Sequence, residues 1–465
     1  MNPTAQTDLD AVPLSDNTGF AGHPKGLGPL FFTELWERFS YYGMRAILVL
    51  YMVTPATGGG LGFDTKHAAS IYGTYTMSVY LTALPGGLIA DRFLGAGLAV
   101  LLGGIIIACG HFSMVFHSMT AFYTGMVLIA IGTGFLKPNI SAMVGNLYGP
   151  NDPRRDSGFS IFYMGINLGA VLAPLVCGYM AQGESFKRFV SSMGFDVTTS
   201  WHWGFGAAGV GMCLGLIIFA LNRKRLSRVS QRKQASNMTV QEIAAARAPL
   251  TPADWKRIGA IFIFFLFTIL FWTAYEQKGA SLNLFAKDLV RTEVFGMKFP
   301  SSWLQSCTPL FVILLAPIFS ALWVRLGKRQ PSSPVKFTLG LLFIGLAYTL
   351  LVPAAAMTAY GKISPLWLVG LYFLEVIGEM CLSPVGLSTV TKLAPVKLVG
   401  IMMGVWFLAA SFGSKLAGYL SGFFVANNSG VLVKLYGGIA VALLISAGIL
   451  ALLTPRVKKL MGTVN

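Results

Sequence analysis

The chain is poor in charged residues and in paired cysteines. Of its 465 residues 11% are charged and 54% are hydrophobic, whereas an ordinary soluble domain carries about a quarter charged residues. This composition argues against a water-soluble enzyme. The five cysteines stand singly inside apolar stretches with no C-x-x-C pair, so neither a zinc site nor a disulfide framework is indicated and we expect no bound metal.

Acidic residues are also scarce. Eighteen aspartates and glutamates face 35 lysines and arginines, which leaves a net charge of +17. Such a charge could indicate binding to nucleic acid, binding to anionic lipid or the positive cytosolic loops of a membrane protein. The positions of the lysines and arginines decide between these explanations. Those positions follow a membrane topology, so we expect membrane lipid rather than nucleic acid as a partner.

Long apolar runs dominate what is present. A membrane-spanning helix needs about 20 predominantly apolar residues, and twelve such windows predict an all-α membrane protein with twelve transmembrane helices. The first, seventh and tenth windows contain ionisable residues, so a plain hydropathy count could overlook them. The predicted spans are 28–53, 67–90, 96–116, 119–145, 158–181, 202–221, 256–275, 301–325, 336–357, 364–390, 400–425 and 431–454.

The lysines and arginines test this topology, because short cytosolic loops are enriched in them. If both termini are cytosolic, twenty-two of these bases fall on the cytosolic side, eight on the other side and five within or beside the spans. The first 27 residues are polar and carry acids where a secretory signal would need bases. We therefore expect a multi-pass protein of the cytoplasmic (inner) membrane with both termini in the cytosol.

One long connection divides the spans into six and six. It is polar throughout and rich in basic residues. Two halves of this kind are typical of transporters that rock about a site near the membrane midplane. The expected organisation is a cytosolic tail 1–27, a six-helix bundle 28–221, a basic cytosolic linker 222–255, a second six-helix bundle 256–454 and a cytosolic tail 455–465.

Ionisable residues inside the spans point to function, because a charge at mid-bilayer costs at least about 2.5 kcal/mol. Four residues of the first span share one narrow helical stripe and a fifth lies beside it, which predicts a polar cavity. They are Glu34, Arg38, Tyr41 and Arg45, with Glu37 beside them. No acid follows Arg45 on its face, so its guanidinium is suited to a carboxylate of a ligand or of another helix.

Three further spans contribute charges. Span four places Lys137 beside the helix breaker Pro138, and span seven ends at Glu276. Span ten carries Glu375 and Glu379 one turn apart. Two carboxylates so close in an apolar medium cannot both stay ionised, so at least one should hold a proton, which favours proton coupling. A ligand with a carboxylate and an amine would match the bases of one half and the acids of the other.

Six motifs spread over nearly the whole chain belong together. They are Glu34-x-x-Glu37-Arg38-Phe39 with Tyr41-Tyr42-Gly43, Gly86 to Gly95, Phe135-Leu-Lys137-Pro138-Asn139, Phe159-Ser-Ile-Phe162-Tyr163-Met-Gly-Ile-Asn167-Leu-Gly169, Glu276-Gln-x-Gly-x-Ser281-Leu-Asn283 and Gly378-Glu379-x-x-x-Ser383-Pro384. The set resembles the proton-dependent oligopeptide transporter (POT) family of the major facilitator superfamily. The resemblance implies that superfamily's fold, and proton-coupled import of di- and tripeptides or peptide-like compounds by alternating access.

The resemblance also implies which residues bind the peptide and which close the site. Arg45 and Lys137 would receive the peptide carboxylate, and Glu379 and Asn167 its amino group. A contact of Arg45 with Glu276 would form the extracellular-side gate. A contact of Lys137 with Glu379 would form the cytosolic-side gate.

Further implied roles concern protons and the cavity wall. The resemblance implies that Glu34, Glu37, Arg38 and Glu276 handle protons. It also implies that the aromatic residues lining the cavity are Tyr41, Tyr42, Tyr80, Trp272 and Trp406. Thr308 stands where the family usually has asparagine, so the chain departs from the family at one amine-side contact. Gly73 stands where animal members carry a histidine, so coupling here must rely on carboxylates.

Other functions fit parts of the pattern. A proton-driven exporter of cationic drugs would use the buried acids alone, but Arg45 and Lys137 would repel such a ligand. A membrane-embedded enzyme would need a nucleophile with its base or a metal cluster, and no H-E-x-x-H or G-x-S-x-G motif occurs. Two alternatives are left undecided by the sequence. The protein could be a former transporter that acts as a sensor, and its main cargo could be nitrate or a peptide-like drug. We expect a monomer without enzymatic activity or cofactor, whose partners are short peptides, protons and lipid.

Overall fold

The computed structural model describes residues 17–149, 152–230, 249–294, 296–395 and 398–462. Within these ranges it contains twelve helices of at least 18 residues, numbered here in chain order. They are α1 Leu27–Val53, α2 Thr65–Ile89, α3 Ala96–Ser113, α4 Met119–Asn146, α5 Arg155–Gln182, α6 Ser200–Leu221, α7 Pro252–Tyr275, α8 Cys307–Leu326, α9 Ser333–Met357, α10 Leu366–Leu393, α11 Val399–Ser421 and α12 Ser429–Met461.

Each predicted span coincides with one of these helices. The largest differences in bounds are at α8, which begins at Cys307 after a turn of 3-10 helix, and at α12, which continues to Met461. Ten helical segments are long and apolar enough to cross a membrane, and α1 and α2 are not among them. The expectation that a hydropathy count overlooks the first span is confirmed. For the seventh and tenth it is wrong, and the second is missed because threonine, serine and glycine dilute its apolar residues.

Polar residues fix where several helices begin. The Asp64 carboxylate accepts a hydrogen bond from the backbone N–H of His67 at 2.9 Å at the start of α2. At α7, Thr251 and Asp254 form a reciprocal capping box that satisfies two otherwise unpaired N–H groups. This cap ends the polar linker and sets the point at which the second half enters the membrane.

The two halves repeat one packing pattern. In the first half α1 packs on α5 and α6, α4 on α2 and α3, and α3 on α6. Adding six to each number gives contacts that also occur, namely α7 on α11 and α12, α10 on α8 and α9, and α9 on α12. The halves meet along two seams, in which α2 packs against α11 and α5 packs against α8. These two seams are equivalent, because α8 corresponds to α2 and α11 corresponds to α5. Such a repeat places any central site between two equivalent bundles.

Short elements fill the connection between α7 and α8. They are a 3-10 turn Glu276–Gly279, a helix Ser281–Leu289, strand β1 Glu293–Val294 paired with β2 Met297–Lys298, and a 3-10 turn Ser301–Ser306. Most of the residues of the helix and of the two 3-10 turns are buried. They lie at the face of the protein remote from the chain termini, because α7 ends there and α8 begins there.

The linker and the tails are described in part. The linker begins with a helix, Arg223–Ser230, whose Leu226 is fully buried and which packs on α3 and α4. The rest of the linker, 231–248, lies outside the described residues, as does 1–16 of the expected N-terminal tail. Within the described chain, the predicted all-α membrane fold is confirmed.

Candidate functional site

A cavity of about 330 Å³ lies between the two halves. Charged and aromatic side chains of seven different helices and of the turn after α7 form its wall. Twelve of the fourteen residues proposed from the sequence line it: Glu34, Arg38, Tyr42, Arg45, Tyr80, Lys137, Asn167, Trp272, Glu276, Thr308, Glu379 and Trp406. The other two, Glu37 and Tyr41, lie behind the wall.

The contribution of α1 to the wall is rotated relative to the expected stripe. At about 100° per residue, the lining residues Glu34, Arg38, Arg45 and Tyr42 cover one arc of the surface of α1. Tyr42 lies at one edge of this arc, and Tyr41 lies beyond the opposite edge. Tyr41 is 3% exposed and packs edge-on against Tyr42, with ring centroids 5.1 Å apart. The aromatic lining position is therefore Tyr42 and not Tyr41, whose ring instead lies under the guanidinium of Arg38 at 5.1 Å.

Arg38 is shared by two carboxylates. Its Nη2 donates to Glu37 Oε1 at 2.6 Å, its Nε also pairs with Glu37, and the same Nε lies 3.3 Å from Glu34 Oε1. All three residues are at most 2% exposed. The second oxygen of Glu34 is buried and has no hydrogen-bond partner in the described chain. Lys137 interacts electrostatically with both carboxylates, so two acidic and two basic side chains face one another in this cluster.

Arg45 joins the two halves. Its Nε donates to the Tyr72 hydroxyl at 2.5 Å, and its Nη2 forms an ion pair with Glu276, which sits in the turn after α7. Arg45 and Glu276 are 3% and 2% exposed. Truncating one member of such a buried pair leaves the other charge uncompensated, which typically costs about 3 to 5 kcal/mol. The pair thus links α1 of the first half to the turn after α7 in the second half.

Hydrogen bonds around this ion pair close one face of the cavity. They join a described residue of one half to a described residue of the other, and they lie between the middle of the helices and the ends remote from the termini. Their donors and acceptors are Asn283 and Gln305 to the Ala46 carbonyl, Trp303 to the Leu175 carbonyl, Ser306 to the Val171 carbonyl, Ser302 to Gln182, Gln182 to Ser301, Lys415 to Thr74, and Ser411 to the Met77 carbonyl.

The contact proposed for the opposite face is not formed. Lys137 Nζ lies 4.8 Å from the ring centroid of Tyr80, and Glu379 accepts a hydrogen bond from the Tyr275 hydroxyl. Among the described residues neither Lys137 nor Glu379 has an ion-pair partner within 4.0 Å. The halves are therefore held together at the face remote from the termini and are not held by this pair at the face that carries the termini.

The cavity also contains residues that the sequence patterns did not single out. Lys278 lies with its Nζ 3.3 Å from the ring centroid of Tyr275, and it interacts electrostatically with Glu276 and Glu379. It occupies the x of the Glu276-Gln-x-Gly motif and follows the end of the predicted span 256–275. The further wall residues are Tyr163, Ile166, Ala170, Pro174, Tyr275, Gln305, Pro309, Val312, Ser383, Leu387, Phe407 and Ala410.

Thr308 and Glu375 are among the residues of the C-terminal half whose buried polar atoms lack a hydrogen-bond partner in the described chain. Thr308 is 2% exposed on the wall, and its hydroxyl has no hydrogen-bond partner among the described residues. Glu375 is fully buried off the wall, and neither of its oxygens has a partner there. A carboxylate without donors is costly to keep ionised in such surroundings. Glu375 therefore lies behind the wall, one helical turn from Glu379, and does not face the cavity.

Comparisons with known proteins place these features among transporters. Residues 97–251 and 250–433 match the family model described as POT family. The chain is 38% identical to the peptide transporter YePEPT of Yersinia enterocolitica, over 95% of this chain and 96% of that one. It is 35% identical to a di-/tripeptide transporter of Lactococcus lactis, over 96% and 98%. A solved structure of peptide transporter POT, a mutant in complex with alafosfalin, superposes with a TM-score of 0.85 at 39% identity, over 96% and 97% of the chains.

Proposed function

The chain belongs to the POT family and has the major facilitator fold, and from this premise we propose that it imports di- and tripeptides together with protons. Relatives that match over almost their whole length are named as peptide or di-/tripeptide transporters. The single observation that carries the proposal is the central cavity, whose wall combines Arg45, Lys137 and Lys278 with Glu276 and Glu379. Such a wall complements both ends of a peptide zwitterion and disfavours a purely cationic drug.

Recognition of the two peptide ends would use opposite walls. Lys137 has no ion-pair partner among the described residues, so its ammonium group is available for the peptide carboxylate, with Arg45 beside it. Glu379 and Asn167 would take the amino group. The Thr308 hydroxyl, which has no hydrogen-bond partner in the described chain, would replace the amide usual at that position. Tyr42, Tyr80, Trp272 and Trp406 would enclose the side chains without demanding one of them.

Proton coupling would act through two carboxylate groups. Protonating Glu276 would remove the charge that holds Arg45 and would release the contact between the halves. The pair Glu34 and Glu37 shares Arg38, and Glu34 keeps one oxygen free of hydrogen bonds within the described chain. Glu34 is therefore the member of that pair best placed to take up a proton. Opening one face and closing the other in this way amounts to alternating access.

The distribution of lysines and arginines supports an assignment of the membrane and of the orientation of the protein in it. Because positive residues concentrate at the ends of the helices on the face of the termini, we assign that face to the cytosol and the protein to the cytoplasmic membrane. The arrangement described above is then inward-facing, closed towards the exterior by Arg45 and Glu276. The protein would act as a monomer, with the proton as coupling ion and without enzymatic activity.

The test is uptake of a labelled dialanine-type peptide into proteoliposomes. We expect accumulation above equilibrium when the interior is alkaline and negative, and loss of that accumulation with a protonophore. Glu276→Gln and Lys137→Ala should abolish concentrative uptake and leave exchange of peptide across the membrane measurable. The matched control is Glu184→Gln, because the Glu184 side chain is 75% exposed and pairs only with Lys187 in the described chain.

Two results would contradict the proposal in different ways. Peptide uptake that ignores the gradient would remove the proton coupling and keep the peptide. Concentrative uptake at the unmodified rate by both Glu276→Gln and Lys137→Ala would show that the coupling runs through other residues. Absence of peptide uptake with intact protein would reject the substrate class.

A further inference from the structure

A second cavity of about 850 Å³ lies in the C-terminal half, towards the face of the termini. The ends of α8, α9, α10 and α12 line it, and among the described residues it shares only Tyr163 of α5 with the transport cavity. It is therefore a separate compartment beside the transport path. Apart from Tyr163, its lining residues take no part in the peptide site described above.

Three lysines make this cavity basic. Lys336, Lys392 and Lys458 line it, and the lining formed by described residues contains no aspartate or glutamate. None of the three has a carboxylate within 4.0 Å among the described residues. Lys392 and Lys458 are exposed, whereas Lys336 is only 8% exposed. The cavity thus presents one buried ammonium group at its base and two more at its rim.

The base of the cavity is organised around Lys336. Its Nζ donates to Gln330 Oε1 at 2.8 Å and lies 4.2 Å from the ring centroid of Trp323. These two contacts use only part of the capacity of an ammonium group, which has three N–H donors. The lysine is therefore held in place with donor capacity left for an anion in the cavity.

A second feature at the same place points to an anion. Ser332 precedes the first turn of α9 but makes no side-chain cap, and its hydroxyl is buried without a hydrogen-bond partner in the described chain. Helix N-termini attract anions through free N–H groups and the helix dipole. The unsatisfied hydroxyl, the helix start and the three lysines converge on one compartment.

The remaining lining is mixed, with apolar residues beside Ser320, Ser388 and Thr389. Ala316, Phe319, Met380 and Val385 line the cavity next to its basic end. Only 11% of the apolar window of α8 is buried inside the protein, against at least 33% for the other nine candidate spans. An occupant whose charged end meets the lysines could therefore extend an apolar tail along α8 into the bilayer.

We propose that this cavity binds the phosphate headgroup of an anionic phospholipid of the cytosolic leaflet, with an acyl chain along α8. The leaflet rests on the orientation given under the proposed function, whereas the chemistry of the site does not. Basic pockets between helices on the cytosolic side suit such headgroups. A small inorganic anion would use the lysines and leave the apolar part of the lining unfilled.

The test measures binding of short-chain phosphatidylglycerol to the full-length protein in a neutral detergent, without peptide or gradient. Lys392→Gln with Lys458→Gln should weaken binding about thirtyfold, since each lysine near an anionic lipid contributes about 1 kcal/mol. Lys392→Arg with Lys458→Arg should retain it. The matched control is Lys362→Gln with Lys434→Gln, two exposed lysines near the opposite ends of the helices.

Three arms separate the sources of the phosphate. Phosphatidylglycerol that binds well while glycerol phosphate and inorganic phosphate bind weakly supports a lipid site. Equal binding of all three would overturn the lipid and indicate a free anion. Equal phosphatidylglycerol binding by the glutamine pair and by the control pair would overturn the site itself. Since none of these arms requires transport, their outcome is independent of whether the protein imports peptides.

Discussion

Lys278 brings a base to a wall that otherwise supplies carboxylates. The C-terminal half contributes Glu276 and Glu379 to the cavity, and Lys278 interacts electrostatically with both carboxylates. Within the described chain Lys278 has no ion-pair partner within 4.0 Å. A peptide with an acidic side chain could reach it. We expect Lys278→Gln to weaken competition by alanyl-aspartate-type peptides about tenfold relative to dialanine, because a hydrogen bond to a charged group contributes about 1.5 to 3 kcal/mol.

The measurement is inhibition of labelled dialanine uptake by each peptide in proteoliposomes. Lys362→Gln is the control, because Lys362 is exposed outside the cavity and the substitution changes the net charge equally. Parallel weakening of both peptides by Lys278→Gln would mean that the lysine supports the cavity in general and does not select side chains.

For single residues, the sequence predicted most of the cavity wall but not which neighbouring side chain faces the cavity. Ionisable residues in apolar runs identified Glu34, Arg38 and Lys137, because a charge in a membrane needs a polar environment. Tyr41 and Tyr42 are neighbours in sequence, and only the packing of α1 against its neighbours decides which of them reaches the cavity. Lys278 was missed because it follows the end of a predicted span, where a lysine is unremarkable until the turn after α7 folds it inward.

Among the helices, α2 and α11 show how a glycine pair sets a seam. At Gly73 an added Cβ would lie 2.8 Å from the Gly418 Cα and 3.2 Å from the Lys415 carbonyl oxygen. Backbone atoms cannot yield as a flexible side chain would, so the helices would have to separate. We expect Gly73→Ala to destabilise the protein by about 1 to 3 kcal/mol, measured as a lower midpoint of thermal unfolding in detergent.

Gly259→Ala in α7 is the matched control, because its Cβ would meet no atom within 4 Å. That variant should unfold at or above the temperature of the unmodified protein, since alanine favours a helix. Equal midpoints for the two variants would show that the α2–α11 seam adapts to the extra methyl group. The close packing at Gly73 also explains why no larger residue, such as histidine, fits there in this arrangement.

Helix bounds could be predicted because long apolar runs and capping residues are local signals. Thr251 and Asp254 lie just before the predicted span 256–275, and their capping box lets α7 begin at Pro252. The turns Glu276–Gly279 and Ser301–Ser306 could not be predicted, because they are stabilised by contacts with the other half rather than by their own sequence. These turns carry Glu276 and brace α1 and α5, so the unpredicted elements are those that close the cavity.

In the part of the chain that the structure describes, the molecule consists of two like bundles joined by an ion pair and hydrogen bonds at the face remote from the termini. Sequence patterns predicted two halves of six helices, and the repeated packing agrees with that division. Which face is closed does not follow from the sequence, because the same pairs of charges suit either state. The choice depends on a small free-energy difference between two packings, in which the contact of Arg45 with Glu276 favours the one described here.

Weakening that contact should therefore loosen one face of the whole protein and not the other. In Glu276→Gln the guanidinium of Arg45 loses its charged partner and keeps Tyr72. We expect faster amide hydrogen exchange in 281–289 and 301–306, which bond across the halves at the closed face, and unchanged exchange in 200–221, which packs within one half. Hydrogen exchange with mass spectrometry in detergent checks this, with Glu184→Gln as the matched control. Exchange that rises equally in all three segments would indicate general destabilisation, and exchange that stays unchanged would show that the closed face does not depend on this ion pair.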